Sequence, residues 1–297
     1  SYTYAVRCTK STCINRHIFT IGRNFDHGAM LFPHSLKPAT SSPYGIGVGP
    51  NGEVTTGDNE GSFVPSAPLH WVKPGSFNGA VDSFHGKRKL KSSPIAGYEI
   101  EYKDWKKYKA DAREGCQHDP DEAPKPLVWM SKKRGIDNSG GGQAWVTSDK
   151  WGPLKDQLLH LSYGQSKMYV VLKEEKGCQM QGGVARIPVE LSSSAMRARM
   201  NPKDGQLYVS GLKGWQTNAK GNGGLDRIRY TGKPVHLPKS IKVKKDVVEI
   251  GFYEALDPNA VNSLSQFKFG AWNLKWSFNY GSPEIPVKEL ELKKVEL

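Results

Sequence analysis

The sequence predicts an all-β fold. Three observations carry that expectation. Short apolar runs alternate with turn residues, and the 297 residues include 32 Gly and 19 Pro. Strand–turn–strand units recur along the chain. Aromatic residues make up 10 %, enough to pack a core and more than disordered chains carry.

The N-terminal segment, 1–44, is the least patterned part. Val6, Ile14, Ile18, Phe19 and Ile21 would support one or two strands, and 28–43 has little periodicity. From Gly45 the pattern sharpens. Gly45-Ile46-Gly47-Val48 reads as a strand. Pro50-Asn51-Gly52-Glu53 reads as a turn, because Asn-Gly accepts the positive φ of a hairpin, and Val54–Asp58 returns. A second hairpin spans 157–172, turning at Gly164-Gln165-Ser166. A third runs from Arg197-Ala198-Arg199 through Asn201-Pro202-Lys203-Asp204-Gly205 into Gln206–Ser210. Tyr98–Arg113 has helical spacing of Tyr98, Tyr102, Trp105 and Tyr108, so it reads as an insertion with an amphipathic helix.

Repeated hairpins of this kind mark a propeller or another repeated β architecture, in which each blade buries its faces against its neighbours. After Gly232 the character changes. Ile241, Val243, Val247, Val248, Ile250 and Phe252 alternate around Lys244-Lys245-Asp246 as a hairpin, and Trp272–Tyr280 reads as a strand. That is the beginning of an immunoglobulin-like sandwich, with fewer than its usual strands. The expected division is an unassigned segment over 1–44, propeller blades over 45–232 with an insertion at 80–126, and a sandwich-like module over 233–297.

The net charge is +13 and the pI about 9.4. Such a balance suits nucleic acid, an anionic membrane or an acidic polysaccharide. The basic clusters (Lys87–Lys91, Lys132–Arg134 and Lys242–Lys245) are short and sit at turns or strand faces, so they read as solvated surface. No nucleic-acid-binding motif accompanies them. No run of 18 apolar residues predicts a transmembrane helix, and no stretch reads as a signal peptide. Cys8, Cys13, Cys116 and Cys178 are compatible with two disulfides without defining a pairing, and their spacing matches neither a zinc site nor a c-type haem motif. Gly140-Gly141-Gly142 and Gly221-Asn222-Gly223-Gly224 lack the lysine of a phosphate loop.

The order of motifs from Ser41 to Gly232 resembles the later blades of glucose/sorbosone dehydrogenase-type propellers. Ser42-Pro43-Tyr44-Gly45-Ile46-Gly47-Val48 is similar to that family's Arg-Asn-Pro-Gln-Gly-Leu strand, and Thr56-Gly57-Asp58-Asn59-Glu60-Gly61 to its acidic glycine-containing loop. Leu69–Gly79, Asn138-Ser139-Gly140 and Trp151–Leu159 resemble further family segments. Arg197-Ala198-Arg199 before Asn201-Pro202-Lys203-Asp204-Gly205 is similar to its Arg-Ile-Arg-x-x-x-x-Pro-x-Gly run. Ser148–Leu154 points to a branch of large secreted propeller proteins of planctomycete-like bacteria, often joined to a haem domain.

The resemblance implies a partial or degenerate six-bladed β-propeller that oxidises a sugar or polyol with pyrroloquinoline quinone (PQQ) and calcium, in a periplasmic or secreted setting, with a cytochrome c as electron acceptor. It implies that Arg197 and Arg199 face the quinone, since guanidinium forks pair bidentately with carboxylates. A family lysine that contacts the cofactor falls on Gly164. The family arginine before Asn-Pro is replaced by Ser41, and no region matches the blade that carries the catalytic histidine. Those departures leave open a non-catalytic propeller that binds glycan, protein or a haem redox partner.

Other residues carry chemistry by type. Asp58 and Glu60, with Asn59 between them, offer oxygen ligands to calcium. The competing reading is a turn that satisfies its own backbone. Asp137-Asn138 gives a similar hint. His160 sits in an apolar strand and reads as a core histidine, whereas His70 and His85 lie near loops as candidate bases. Trp71, Trp145, Trp151 and Trp215 read first as packing residues, with stacking on a sugar ring as the sharper alternative.

Overall fold

The computed structural model describes residues 2–7, 28–29, 39–40, 43–61, 64–72, 126–176, 179–261, 267, 270–274, 280–286 and 291–297. Among them the protein is all-β, with two short 3-10 turns at Asp149–Leu154 and Pro258–Val261. In chain order the strands are β1 (Tyr2–Arg7), β2 (Gly28–Ala29), β3 (Ala39–Thr40), β4 (Pro43–Val48), β5 (Val54–Asp58), β6 (Ala67–Val72) and β7 (Val128–Met130). They continue with β8 (Gly140–Trp145), β9 (Leu158–Ser162), β10 (Lys167–Lys176), β11 (Gln179–Ile187), β12 (Arg197–Met200), β13 (Leu207–Leu212) and β14 (Gly223–Ile228). The last are β15 (Pro238–Val243), β16 (Val247–Phe252), β17 (Trp272–Asn273), β18 (Ile285–Pro286) and β19 (Lys294–Glu296). The Tyr98–Arg113 helix and the four cysteines fall outside the described residues.

Three antiparallel meanders follow one another, β4–β5–β6–β7, β8–β9–β10–β11 and β12–β13–β14. The first strand of each lies beside the first strand of the next, β4 against β8 and β8 against β12. Consecutive meanders joined along their leading strands are propeller blades. Glycine makes that approach possible. A Cβ on Gly141 would stand 2.9 Å from the Met196 Cα and closer still to the Ala195 carbonyl oxygen. Gly45, at φ +138, stacks on the Gly142 Cα. The Gly140–Gly142 run is therefore a strand at the blade junction.

The middle blade is buried on both faces, because neighbouring residues of each strand point opposite ways. Leu158 and Val171 pack with Ala67, Leu69, Leu127 and Met130 of the first blade. Leu159, Leu161, Met168 and Val170 pack on the other side with Ala198, Leu207 and Val209. The first interface is also clamped by a cation. Lys173 lies over the Trp145 ring, 4.5 Å from its centroid, and Trp145 meets Trp71 edge-on at 6.1 Å. Burial pushes the Lys173 ammonium below its ordinary pKa, against the pull of Glu53 and Asp156.

Of the immunoglobulin-like tail expected over 233–297, the described residues show the first hairpin. The β15–β16 hairpin forms as its alternation predicts. Beyond it the sheet continues as β15–β16–β1–β19, so the neighbour of β16 is a strand from the other end of the chain. Ile241 and Val248 of the hairpin pack in the same core as Leu172 and Ile187 of the middle blade.

Candidate functional site

One end of the blades gathers the polar residues. There β5 ends, β8 begins and β9 turns into β10. At its centre is Asp137, fully buried in the loop before β8. Its Oδ1 accepts the Asn138 and Ser139 N–H groups at 2.8 and 3.0 Å and the Ser162 hydroxyl at 2.5 Å. Its Oδ2 lies 2.7 Å from His160 Nε2. The Ser, His and Asp here do not form a nucleophilic triad, because the serine bonds the carboxylate rather than the imidazole. The arrangement fixes the loop to β9. A histidine in the otherwise apolar Leu158–Leu161 run was the available signal, since a buried imidazole needs a partner. The sequence does not reveal that the partner is Asp137, 23 residues away.

Asp58 and Glu60 stand beside this network. The Asn59 N–H donates to Asp58 Oδ1 at 2.8 Å, and Ser139 Oγ donates to Asn59 Oδ1 at 3.1 Å, which joins the two acidic loops. Glu60 is buried and pairs with Lys132 at 3.1 Å. Burial raises its pKa, and Lys132 pulls the other way. A cavity of about 430 Å³ opens here, lined by Glu60, Ser66, Ser131, Lys132, Tyr280 and Glu284 among others. Glu284 is held by both nitrogens of an Arg134 fork at 3.0 Å and by the Ser131 hydroxyl at 2.6 Å. Sequence reading did not foresee the Lys132, Arg134, Tyr280 and Glu284 contributions, because they come from segments about 150 residues apart.

Of the two acids expected to offer oxygens to calcium, Glu60 is shared with the Lys132 ammonium group. No set of three or more His, Cys, Asp or Glu converges among the described residues.

Arg197 and Arg199 alternate with the buried Ala198 on β12, so both stand on its exposed side. Arg197 Nη1 reaches back to the Gly141 and Met196 carbonyls, and Arg199 Nη1 donates to the Ala198 carbonyl at 2.8 Å. Burial, then the Arg199 charge, lowers the Arg197 pKa. Two cations on one strand face suit an anionic group with more than one carboxylate. Gly164 sits elsewhere at this end. Its carbonyl accepts the Asn218 N–H at 2.8 Å, and its Cα packs against the Asn138 amide so closely that a side chain would collide with it.

His70 is buried on β6, and His85 lies outside the described residues. Trp145 and Trp151 are core residues, the latter donating its Nε1–H to the Gly205 carbonyl at 3.1 Å. Trp71 is partly buried, and Trp215 is 84 % exposed.

Fold and site together define a propeller-type protein of stacked antiparallel blades with a polar end. No family model matches the chain, and no curated protein does. Among solved structures it is similar to a putative oxidoreductase (glucose dehydrogenase) from Thermus thermophilus, at 13 % identity and a TM-score of 0.39 over 66 % of this chain and 49 % of that one. It is similar to another glucose dehydrogenase, at 15 % identity and a TM-score of 0.40 over 65 % and 45 %. A third is the soluble aldose sugar dehydrogenase from Escherichia coli, at 15 % and 0.37 over 64 % and 45 %. The chain spans about half the length of these structures.

Proposed function

We propose that this chain is part of a sugar-dehydrogenase-type propeller in which Arg197 and Arg199 hold an anionic quinone, PQQ. The observation that carries the reading is the β12 alternation. It sets two guanidinium groups on one exposed strand face beside β8. Each guanidinium has five N–H donors in a fork that matches a carboxylate. When bound, the quinone would supply the capacity to accept two electrons from a sugar or polyol. The arginines' part is to bind and orient it. His160 is not a base for that reaction, being fully buried with its Nε2 against Asp137. A periplasmic or secreted location and a cytochrome c acceptor belong to the same reading; no described helix is long and apolar enough to cross a membrane.

The second reading is a non-catalytic propeller that binds glycan, protein or a haem redox partner. The exposed Trp215 favours its glycan form. Calorimetric titration with PQQ, with and without calcium, separates the two. Saturable binding that weakens in Arg197→Ala and Arg199→Ala supports the quinone site. No binding in either condition retires it and leaves the recognition reading.

A further inference from the structure

We propose that the open face of the β12–β14 sheet binds an acidic polysaccharide. The sheet's two faces differ in kind. Ala198, Leu207 and Val209 are buried and Ile228 packs with them on one face. The residues between them point the other way. The strand register lays Arg199, Tyr208 and Arg227 in one row across the sheet, and Arg197, Ser210 and Leu225 in the next. Arg197, Arg199 and Arg227 are exposed, and so is Arg229, which lies between the inward Ile228 and Tyr230.

Two Arg-x-Arg pairs therefore share a face. β12 and β14 are each antiparallel to β13, so they run parallel to one another. The arginines stand about 7 Å apart along each strand and about 10 Å apart across the pair of strands. Asp204, which accepts the Tyr208 hydroxyl at 2.8 Å and acts on Arg227, offsets one of the four charges. Asp226 faces away, taking the Ser192 N–H and hydroxyl at 2.9 Å. Beyond the Leu212–Gly223 end of the same sheet, the β13–β14 loop raises Trp215, 84 % exposed.

This face of the sheet carries guanidinium forks, and the loop past its Leu212–Gly223 end, tied to the middle blade through Gln216 and Thr217, carries a bare indole. Acidic sugar chains present both matching features, carboxylates or sulfates at the rim and an apolar C–H ring face. An acidic peptide offers the indole no ring face repeated along its length in step with its charges. Single-stranded nucleic acid is better served by a series of aromatics for successive bases, and here Tyr208 is tied to Asp204. The proposal stands on Arg227 and Arg229 and holds whether or not a quinone binds Arg197 and Arg199.

The test is calorimetry with polygalacturonate oligomers over a range of salt, with dextran and poly(U) as comparators. Polygalacturonate is expected to bind and dextran not. Arg227→Gln with Arg229→Gln should weaken binding about tenfold and flatten the salt dependence by about one unit of log–log slope per arginine. Trp215→Ala should weaken it independently, and PQQ titration of these variants should match the parent chain. The proposal is overturned by no binding, by tighter binding of poly(U), or by an equal loss when the exposed Lys242, Lys244 and Lys245 are changed to Gln instead, which would mean diffuse charge.

Discussion

His160 Nε2 lies 2.7 Å from Asp137 Oδ2, with both side chains fully buried. The contact ties the loop between the first two blades to the central strand of the second. It also removes the one histidine of that blade's interior from any role at the surface.

Asp137→Ala should therefore be strongly destabilising. It strands the Asn138 and Ser139 N–H groups, the Ser162 hydroxyl and the His160 ring away from water. The expected loss is about 3–5 kcal/mol, since several buried groups lose their acceptor at about 1–3 kcal/mol each. Urea unfolding of the variant checks it. A loss below about 1 kcal/mol would mean that the network is looser than its geometry.

The Glu60–Lys132 pair should respond unequally to its two deletions. The Glu60 side chain is 10 % exposed and that of Lys132 49 % exposed. Lys132→Met leaves a buried carboxylate alone and should cost about 2 kcal/mol. Glu60→Gln leaves a solvated ammonium and should cost less. The pH dependence follows from the raised Glu60 pKa. Between the ordinary value of 4.5 and the raised one, the folded state binds more protons than the unfolded state. Stability from this group is present below 4.5 and is lost as pH rises through the folded value. Thermal melts of Glu60→Gln across acid pH should lack that decline, and an unchanged profile would contradict the assignment.

Gly141→Ala should part the leading strands. The added methyl would meet the Ala195 carbonyl and the Met196 backbone, neither of which is a flexible side-chain tip. A cost of about 3 kcal/mol is expected, at the upper end for overpacking. Gly52→Ala is the control, since nothing lies within 4 Å of that position and only its φ of +85 opposes the change. Equal denaturation midpoints for the two variants would argue against close packing at the junction.

The hairpins were legible because their signals are local. Asn51-Gly52, Gly164–Ser166 and Asp204-Gly205 mark turns, and the structure has Gly52, Ser166 and Gly205 at positive φ there. The alternation of Arg197, Ala198 and Arg199 fixed which face each would take. What escaped was every relation set by distant packing. Gly140–Gly142 looks like a loop until the neighbouring strand that needs its missing side chains is in place. Asp137 gives no sign of His160, nor Glu60 of Lys132. The sheet beyond the last hairpin escaped for the same reason: β15 and β16 show their own pairing in sequence, but nothing local names β1 as the next strand.

The three meanders and the β15–β16–β1–β19 sheet also differ in when they can form. Within the blades, most strands pair with the strand just before or after them, so those contacts close small loops and can form early. β1 pairs with 247–252, across most of the chain. As the polypeptide leaves the ribosome, β1 emerges long before its partner exists. For that interval it is an unpaired strand edge, the kind of feature that recruits another chain. Misassembly during synthesis is therefore expected to begin at β1, and a holding chaperone to find its substrate there, rather than in the blades.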